Sequence, residues 1–461
     1  MLKKLKRLFQ PSDMTVGTPW KSIAIFAFPM LIGNIAQQMY STVDSIVVGN
    51  YVGDNALAAV GSSMPILNIL LVLFVGISSG TTVMVSQYFG AKNKEELSAT
   101  IGTAITLTAI ASLALMLIGP LFVDKILALL NTPASIAEWC GSYLKISLYG
   151  IAGMAYYNIL SGILRGMGDS FSTLVYLLIA TVVNIVLDIV FVSRFHMGVA
   201  GVALATVIAQ GFSSLMCMIK LLRMRSTFDL SPRRFLISPK HAKTLIRLGI
   251  PSGLTQAIMS SAMMIVQSLT NSFGEAFIAA NVIIMRVDGF AMLPNFSFGM
   301  ATTTYAGQNV GAGKYDRVIQ GARQGTILSL VCSTVITGAI LIFGKGLMGI
   351  FTDTVSLVEM SRRLMGILAP GYIAMAITQS LSGIMRGAGD TMTPMWISLM
   401  TTIGVRVPLA YLISFLTRTP ELQYGRCECI QISLLTSWLV GALLTFIFYR
   451  LGKWKKKAIK Q

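Results

Sequence analysis

Two carboxylates stand where carboxylates are rare. Asp44 lies in the middle to outer part of an apolar run near residues 22 to 50, and Asp188 lies in another near 171 to 193. A charge at mid-bilayer costs at least about 2.5 to 3.5 kcal/mol, so an intramembrane acid is a functional candidate by default. Desolvation favours the neutral acid, which suits Asp44 to carrying a proton. The competing reading is a structural carboxylate bonded to Gln and Tyr neighbours, of which Gln37, Gln38 and Tyr40 are at hand. Asn184 precedes Asp188 by four residues, so the two side chains stack on one helix face and both offer oxygen. Such a pair could hold a hard cation or a hydrogen-bonded protonated acid, or could merely bridge helices.

Other intramembrane charges are Arg286 and Asp288 in one run and Arg406 in another. Residues two apart point to different faces, so Arg286 and Asp288 need not pair. They read as packing or cavity-lining groups, with Asp288 as a second proton or substrate carboxylate in the sharper alternative. Met259 and Met263, with Met264, Met292 and Met300 nearby, offer adaptable surface to apolar ligands or simply fill the core or face lipid. Arg165 and Asp169, with Arg386 and Asp390, read chiefly as structural loops in which glycines take the left-handed turn that ends a helix, with a gating contact between the halves as the alternative. The two histidines, His196 and His241, form no catalytic constellation, and no GxxxxGK[ST] phosphate loop occurs. An enzyme and an ATP-driven pump are therefore not expected, and no catalytic residue or cofactor is assigned.

These residues need a lipid solvent to make sense. The chain has 461 residues, 54% hydrophobic and 12% charged, too apolar for one soluble core. At roughly 20 residues per helical span, this length predicts about twelve spans and an all-α membrane protein. Apolar runs fall near 22–50, 56–88, 98–122, 140–164, 171–193, 198–222, 244–271, 276–309, 322–348, 362–385, 393–415 and 430–450. The net charge of +18 comes from Lys and Arg in the short segments between these runs. That pattern sets topology, with both termini cytoplasmic in a multi-pass plasma-membrane protein, and does not point to nucleic acid. The basic start, with Leu2, Leu5, Leu8 and Phe9, reads as a short interfacial helix. The five cysteines show neither metal spacing nor a disulfide framework.

The chain also repeats itself. The segment Ser161-Gly-Ile-Leu-Arg-Gly-Met-Gly-Asp-Ser170 returns as Ser382-Gly-Ile-Met-Arg-Gly-Ala-Gly-Asp-Thr391. At the same shift Gln87, Gly90 and Ala91 meet Gln308, Gly311 and Ala312, and Gly53, Ala58 and Ala59 meet Gly274, Ala279 and Ala280. Three matches at one offset mark a duplication. With about six spans between equivalents, the halves should share one orientation about an axis along the membrane normal and enclose a cavity. The predicted organisation is a cytoplasmic segment 1–21, a six-helix bundle 22–222, a basic linker 223–243, a second six-helix bundle 244–450 and a basic tail 451–461.

The paired RGxGD segments, the Gly-Ala ends of spans 2 and 8, and Pro29, Gln37, Gln38 and Asp44 in span 1 together resemble the multidrug and toxic compound extrusion (MATE) transporters. The resemblance covers nearly the whole chain. It implies two six-helix bundles in a V around a cavity and alternating access driven by protons or sodium ions. Within that family the sequence is similar to the prokaryotic branch with coupling acids in the first half, whose positions are matched by Asp44, Asn184, Asp188 and Thr206. A carboxylate, an amide and a hydroxyl at Asn184, Asp188 and Thr206 would suit a sodium ion. The other bacterial branch carries acids in spans 7 and 10, where this chain has Gln256 and Gln379; these two, with Gln37, Gln38 and Tyr40, are expected as possible cavity or substrate residues. The expected function is a secondary active antiporter exporting organic cations, acting as a monomer in the bilayer. The main alternative is a flippase for a lipid-linked saccharide or cell-wall precursor, whose anionic pyrophosphate would call for many Arg and Lys in the cavity.

Overall fold

In the computed structural model, residues 9–130, 132–224, 226–231 and 235–459 are described, and their regular structure is helical throughout. The expected interfacial helix of Leu2, Leu5 and Leu8 lies outside these residues, as does part of the basic linker.

The first half contains α1 (Pro19–Tyr51), α2 (Asp54–Gly90), α3 (Lys94–Leu129), α4 (Ala134–Tyr149), α5 (Ile151–Gly166), α6 (Ser170–Ile189) and α7 (Gly198–Arg223). The second contains α8 (Pro239–Asn271), α9 (Glu275–Gly311), α10 (Tyr315–Gly349), α11 (Val355–Leu368), α12 (Gly371–Gly387), α13 (Met392–Thr401), α14 (Val407–Leu416) and α15 (Cys429–Leu451). Among the described residues, ten stretches are long and apolar enough to cross a membrane, eleven with α11 and α12 taken as one bent span.

The structure corrects the sequence reading at spans 4 and 10, which are not single rods. Span 4 divides into α4 and α5 at Gly150, where the Val207 side chain takes the room a Cβ would need. Span 10 divides at Ala369 and Pro370 and bends by 45°. Proline offers no N–H to the preceding turn, which favours a break there. Spans 5 and 11 carry single π-helical turns at Val190–Arg194 and Thr402–Arg406.

The chain divides into two compact units. Among the described residues, one comprises Phe28–Gly253 with 9–13, and the other Met14–Ala27 with 254–459. Helix α1 therefore begins in the second unit and passes to the first next to Pro29, while α8 changes units just after Pro251. Within the second unit the start of the chain is held by the repeat motif: Met14 N donates to Gln308 Oε1 at 2.8 Å and Asn309 Nδ2 donates to Met14 O. Within the first unit, Lys240 and His241 at the start of α8 meet Glu96 at 2.9 and 2.8 Å.

Each unit exposes apolar side chains and buries small polar ones among an apolar core. Leu121 and Ile342 are more than two-thirds exposed, whereas Thr81, Ser86, Ser329 and Thr302 are fully buried along with residues such as Phe74, Leu144 and Leu364. Small and weakly polar side chains let helices approach closely where lipid already solvates the outward apolar ones. Gly162 and Gly166 bring α5 against α2 so closely that a Cβ would lie 2.6 Å from Ser78 Oγ and 2.9 Å from Thr82 O. Their repeat equivalents, Gly383 and Gly387, press α12 on the α9 backbone at Gly299 and Thr303.

In the RGxGD loops the last glycine turns the chain and the aspartate starts the next helix. Gly168 and Gly389 have φ of 85° and 95°, a region that favours glycine. Asp169 then caps α6, accepting from Ser172 N at 2.9 Å and Ser172 Oγ at 2.7 Å; Asp390 accepts likewise from Thr393 N and Oγ1. Asp169→Ala is expected to cost about 1 to 2 kcal/mol, the usual worth of a lost N-cap. A thermal-unfolding shift of the purified protein checks it, with Asp169→Asn close to wild type.

Candidate functional site

The first unit encloses a cavity of about 210 Å³. Helix α1 supplies one wall: Gly33, Gln37, Tyr40 and Asp44 line it at alternating spacings of four and three, the repeat of one helix face. Helix α5 adds Met154, Asn158 and Arg165, and α7 adds Thr206 and Gln210. The rotation of α5 is set by Gly162 and Gly166, which seat one face on α2 and turn the adjoining face to the cavity.

Behind this wall sits a polar knot. Asp44 is 1% exposed, and Asn184 and Asp188 are fully buried. The Asn184 amide nitrogen donates to Asp44 Oδ1 at 2.9 Å and to Asp188 Oδ2 at 3.1 Å, while its oxygen accepts from the Tyr40 hydroxyl at 3.2 Å. One amide thus ties together the acids of α1 and α6. The two carboxyl groups are gathered on one amide nitrogen. Asp44 Oδ2, Asp188 Oδ1 and Thr206 Oγ1 are buried with no hydrogen-bond partner among the described residues. A buried pair of carboxylates that both carry charge is strongly disfavoured, so the arrangement favours neutralisation of at least one of them.

Of the residues singled out in the sequence, Gln37, Tyr40, Asp44 and Thr206 line the cavity; Asn184 and Asp188 stand behind it. Gln38 is on α1 outside the lining. Gln256, Met259, Met263, Arg286, Asp288 and Gln379 belong to the second unit and are not brought to this site. There Asp288 accepts from the Tyr372 hydroxyl at 2.9 Å, while Arg286 is exposed and forms no ion pair with it among the described residues. Tyr372 O in turn accepts from Asn295 Nδ2, whose amide oxygen accepts from Ser333 Oγ at 2.7 Å.

The sequence reading passed over Asn34, Asn68, Tyr143, Tyr157, Asn158, Thr173 and Gln210 as cavity residues, and placed Arg165 in a loop. On α1 the heptad-like spacing could have found Asn34; on the other helices the polar residues are too scattered to show which face is inward.

A family model described as MatE matches residues 29–190 and again 251–412. The chain belongs to the MatE family. Its two matched segments begin at Pro29 and Pro251, so the duplication read from the motifs extends over both halves. The chain is 31% identical over 447 residues to the probable multidrug resistance protein YoeA of Bacillus subtilis, covering 95% of each. It is 26% identical to the probable multidrug resistance protein NorM of Thermotoga maritima, covering 95% of this chain and 94% of that one. Among solved structures it resembles MATE in complex with MaL6, with a TM-score of 0.90, 24% identity, and 97% and 99% of the chains covered. It also resembles a MOP superfamily transporter from Pyrococcus furiosus, with a TM-score of 0.89, 23% identity, and 96% and 98% covered. These likenesses establish the MatE fold, a multi-pass membrane transporter and not an enzyme. Between the two MatE segments, Arg406 and Ala410 stand as far into the second as Asn184 and Asp188 stand into the first, so the acid pair has no counterpart there.

Proposed function

We propose that this MatE protein is a secondary active antiporter that exports organic cations in exchange for protons or sodium ions. Its relatives include proteins named for multidrug resistance, which fits an export role. The observation that carries the reading is Asp44: it lines the cavity, and through Asn184 it is joined to Asp188 in a knot with unsatisfied oxygens. Cargo in the cavity and an ion in the knot therefore compete for one negative charge, and competition for a shared charge couples two fluxes. A proton serves the knot as a hydrogen shared between carboxyls. A sodium ion serves it through Asp188, Asn184 and Thr206 oxygens, with the Asn184 amide turned over. Both termini face the cytoplasm of a plasma membrane on the distribution of Lys and Arg, and the protein acts as a monomer.

The charge count sets the driving force. Exchange of one proton for one monovalent cation moves no net charge, whereas two protons per cation also use the membrane potential, worth about 2.3 kcal/mol per charge per 100 mV. The flippase alternative is disfavoured by the cavity, because Arg165 is the one basic residue among those lining it.

The test is dye transport into everted vesicles under a pH gradient and a sodium gradient imposed separately. One of the two is expected to drive accumulation, and failure of both would remove the antiport reading. Asp188→Asn is expected to lower the driven rate by about 5- to 50-fold, within the usual range for loss of a coupling free energy. It should also shift any dependence on membrane potential, as one of two titratable groups is gone.

A further inference from the structure

Arg165 presents a charge to the cavity that no acid among the described residues pairs with. Its Nε is buried with no hydrogen-bond acceptor, and no carboxylate among the described residues is ion-paired with it. The nearest acid in sequence, Asp169, is engaged by Ser172 and by Lys220 at 3.6 Å. A guanidinium stays protonated in proteins, so this positive charge persists on the half-buried cavity wall. A buried charge left unpaired is costly, and an anion bound against it removes that cost.

The position of Arg165 gives the cavity a polarity. It stands in the last turn of α5, at the end where Gly33 packs on Leu174 and Leu177 in the early turns of α6. Asp44 lies some 11 residues beyond Gly33 along α1, roughly 16 Å at the rise of an α-helix. Both residues line the same cavity, so its two ends carry opposite charges. The rotation of α5 imposed by Gly162 and Gly166 holds the guanidinium on the cavity face.

We propose that Arg165 is a docking point for a carboxylate-class anionic group of the cargo, so that the cavity takes small zwitterions with their positive end toward Asp44. This rests on the reading of the cavity as the cargo site. The guanidinium fork matches a carboxylate in two parallel hydrogen bonds, which a lysine ammonium cannot reproduce.

The test compares a rhodamine free acid, which is zwitterionic, with its methyl ester, which is a cation, by fluorescence anisotropy on the full-length protein in nanodiscs. Wild type is expected to bind the acid about tenfold more tightly than the ester, as a charge-assisted hydrogen-bonded pair provides. Arg165→Gln should bring that ratio close to one, and Arg165→Lys should keep part of the preference. The same titrations run in chloride and in gluconate separate a cargo carboxylate from a free small anion. Ester binding that needs chloride in wild type, with no preference for the acid, would place a free anion at Arg165 and overturn the cargo assignment. Equal affinity for acid and ester in wild type overturns it without any variant, and so does a preference that survives Arg165→Gln. If the ester does not bind wild type at all, the cargo reading of the cavity fails and takes this inference with it.

Discussion

Replacing Asp44 with asparagine is expected to reduce gradient-driven efflux about a hundredfold while leaving the protein folded. The size follows from a coupling free energy near the upper end of the usual range, about 3 kcal/mol. Asparagine fills the same space, and its amide oxygen can still accept from the Asn184 amide that now bonds Asp44 Oδ1 at 2.9 Å. What it removes is the negative charge and the proton that the charge can take. Transport of a cationic dye in everted vesicles under the driving gradient reads the loss, and a thermal-unfolding profile close to wild type shows that it is not a folding defect. Asp44→Ala is a poorer test, since it would also leave Asn184 with an unmet donor in a buried site. Full activity in Asp44→Asn would mean that the exchanged ion is carried elsewhere.

The second large effect concerns the fold. Gly387→Val is expected to prevent stable assembly of the second unit, with recovery of folded protein falling at least tenfold. Position 387 lies on the Thr303 carbonyl and the Ala306 Cβ, so even one carbon overlaps the α9 backbone and two more cannot be relieved by side-chain rotation. Overpacking of this kind costs about 1 to 3 kcal/mol or more where only backbone movement can relieve it. Helices meet through small residues in a bilayer because close packing supplies much of the association energy, so separation of α12 from α9 removes that energy as well. Gly338→Val in α10 is the control, since nothing lies within 4 Å of a Cβ at that position. Fluorescence-detected size-exclusion chromatography compares the two, and a monodisperse peak of wild-type height for Gly387→Val would refute the packing argument.

The limits of sequence reading follow from what each feature depends on. The spans and the duplication were legible because hydropathy and the paired RGxGD segments are local properties of the chain. The knot was partly legible: Asn184 and Asp188 are four apart on one helix, so the spacing itself joined them. That Asn184 would also hold Asp44 was not, because the contact depends on the rotation of α1 against α6. The breaks at Gly150 and Pro370 were missed because apolar composition runs straight through both. Arg165 was read as a loop residue because it sits in the RGxGD motif. Only the seating of Gly162 and Gly166 on α2 shows that its side chain turns inward. Asp288 and Arg286 illustrate the converse, since neighbours in sequence have different surroundings when they point to different faces of α9.

The central idea is that inflowing ion and outgoing cargo occupy Asp44 in turn. Its most direct test is the release of one by the other on purified protein in weakly buffered medium. Adding a cationic dye to wild type is expected to expel about one proton, or one sodium ion, per dye bound, as competition for a single charge requires. The release should vanish in Asp44→Asn. Stoichiometric dye binding to wild type with neither ion released would contradict the account.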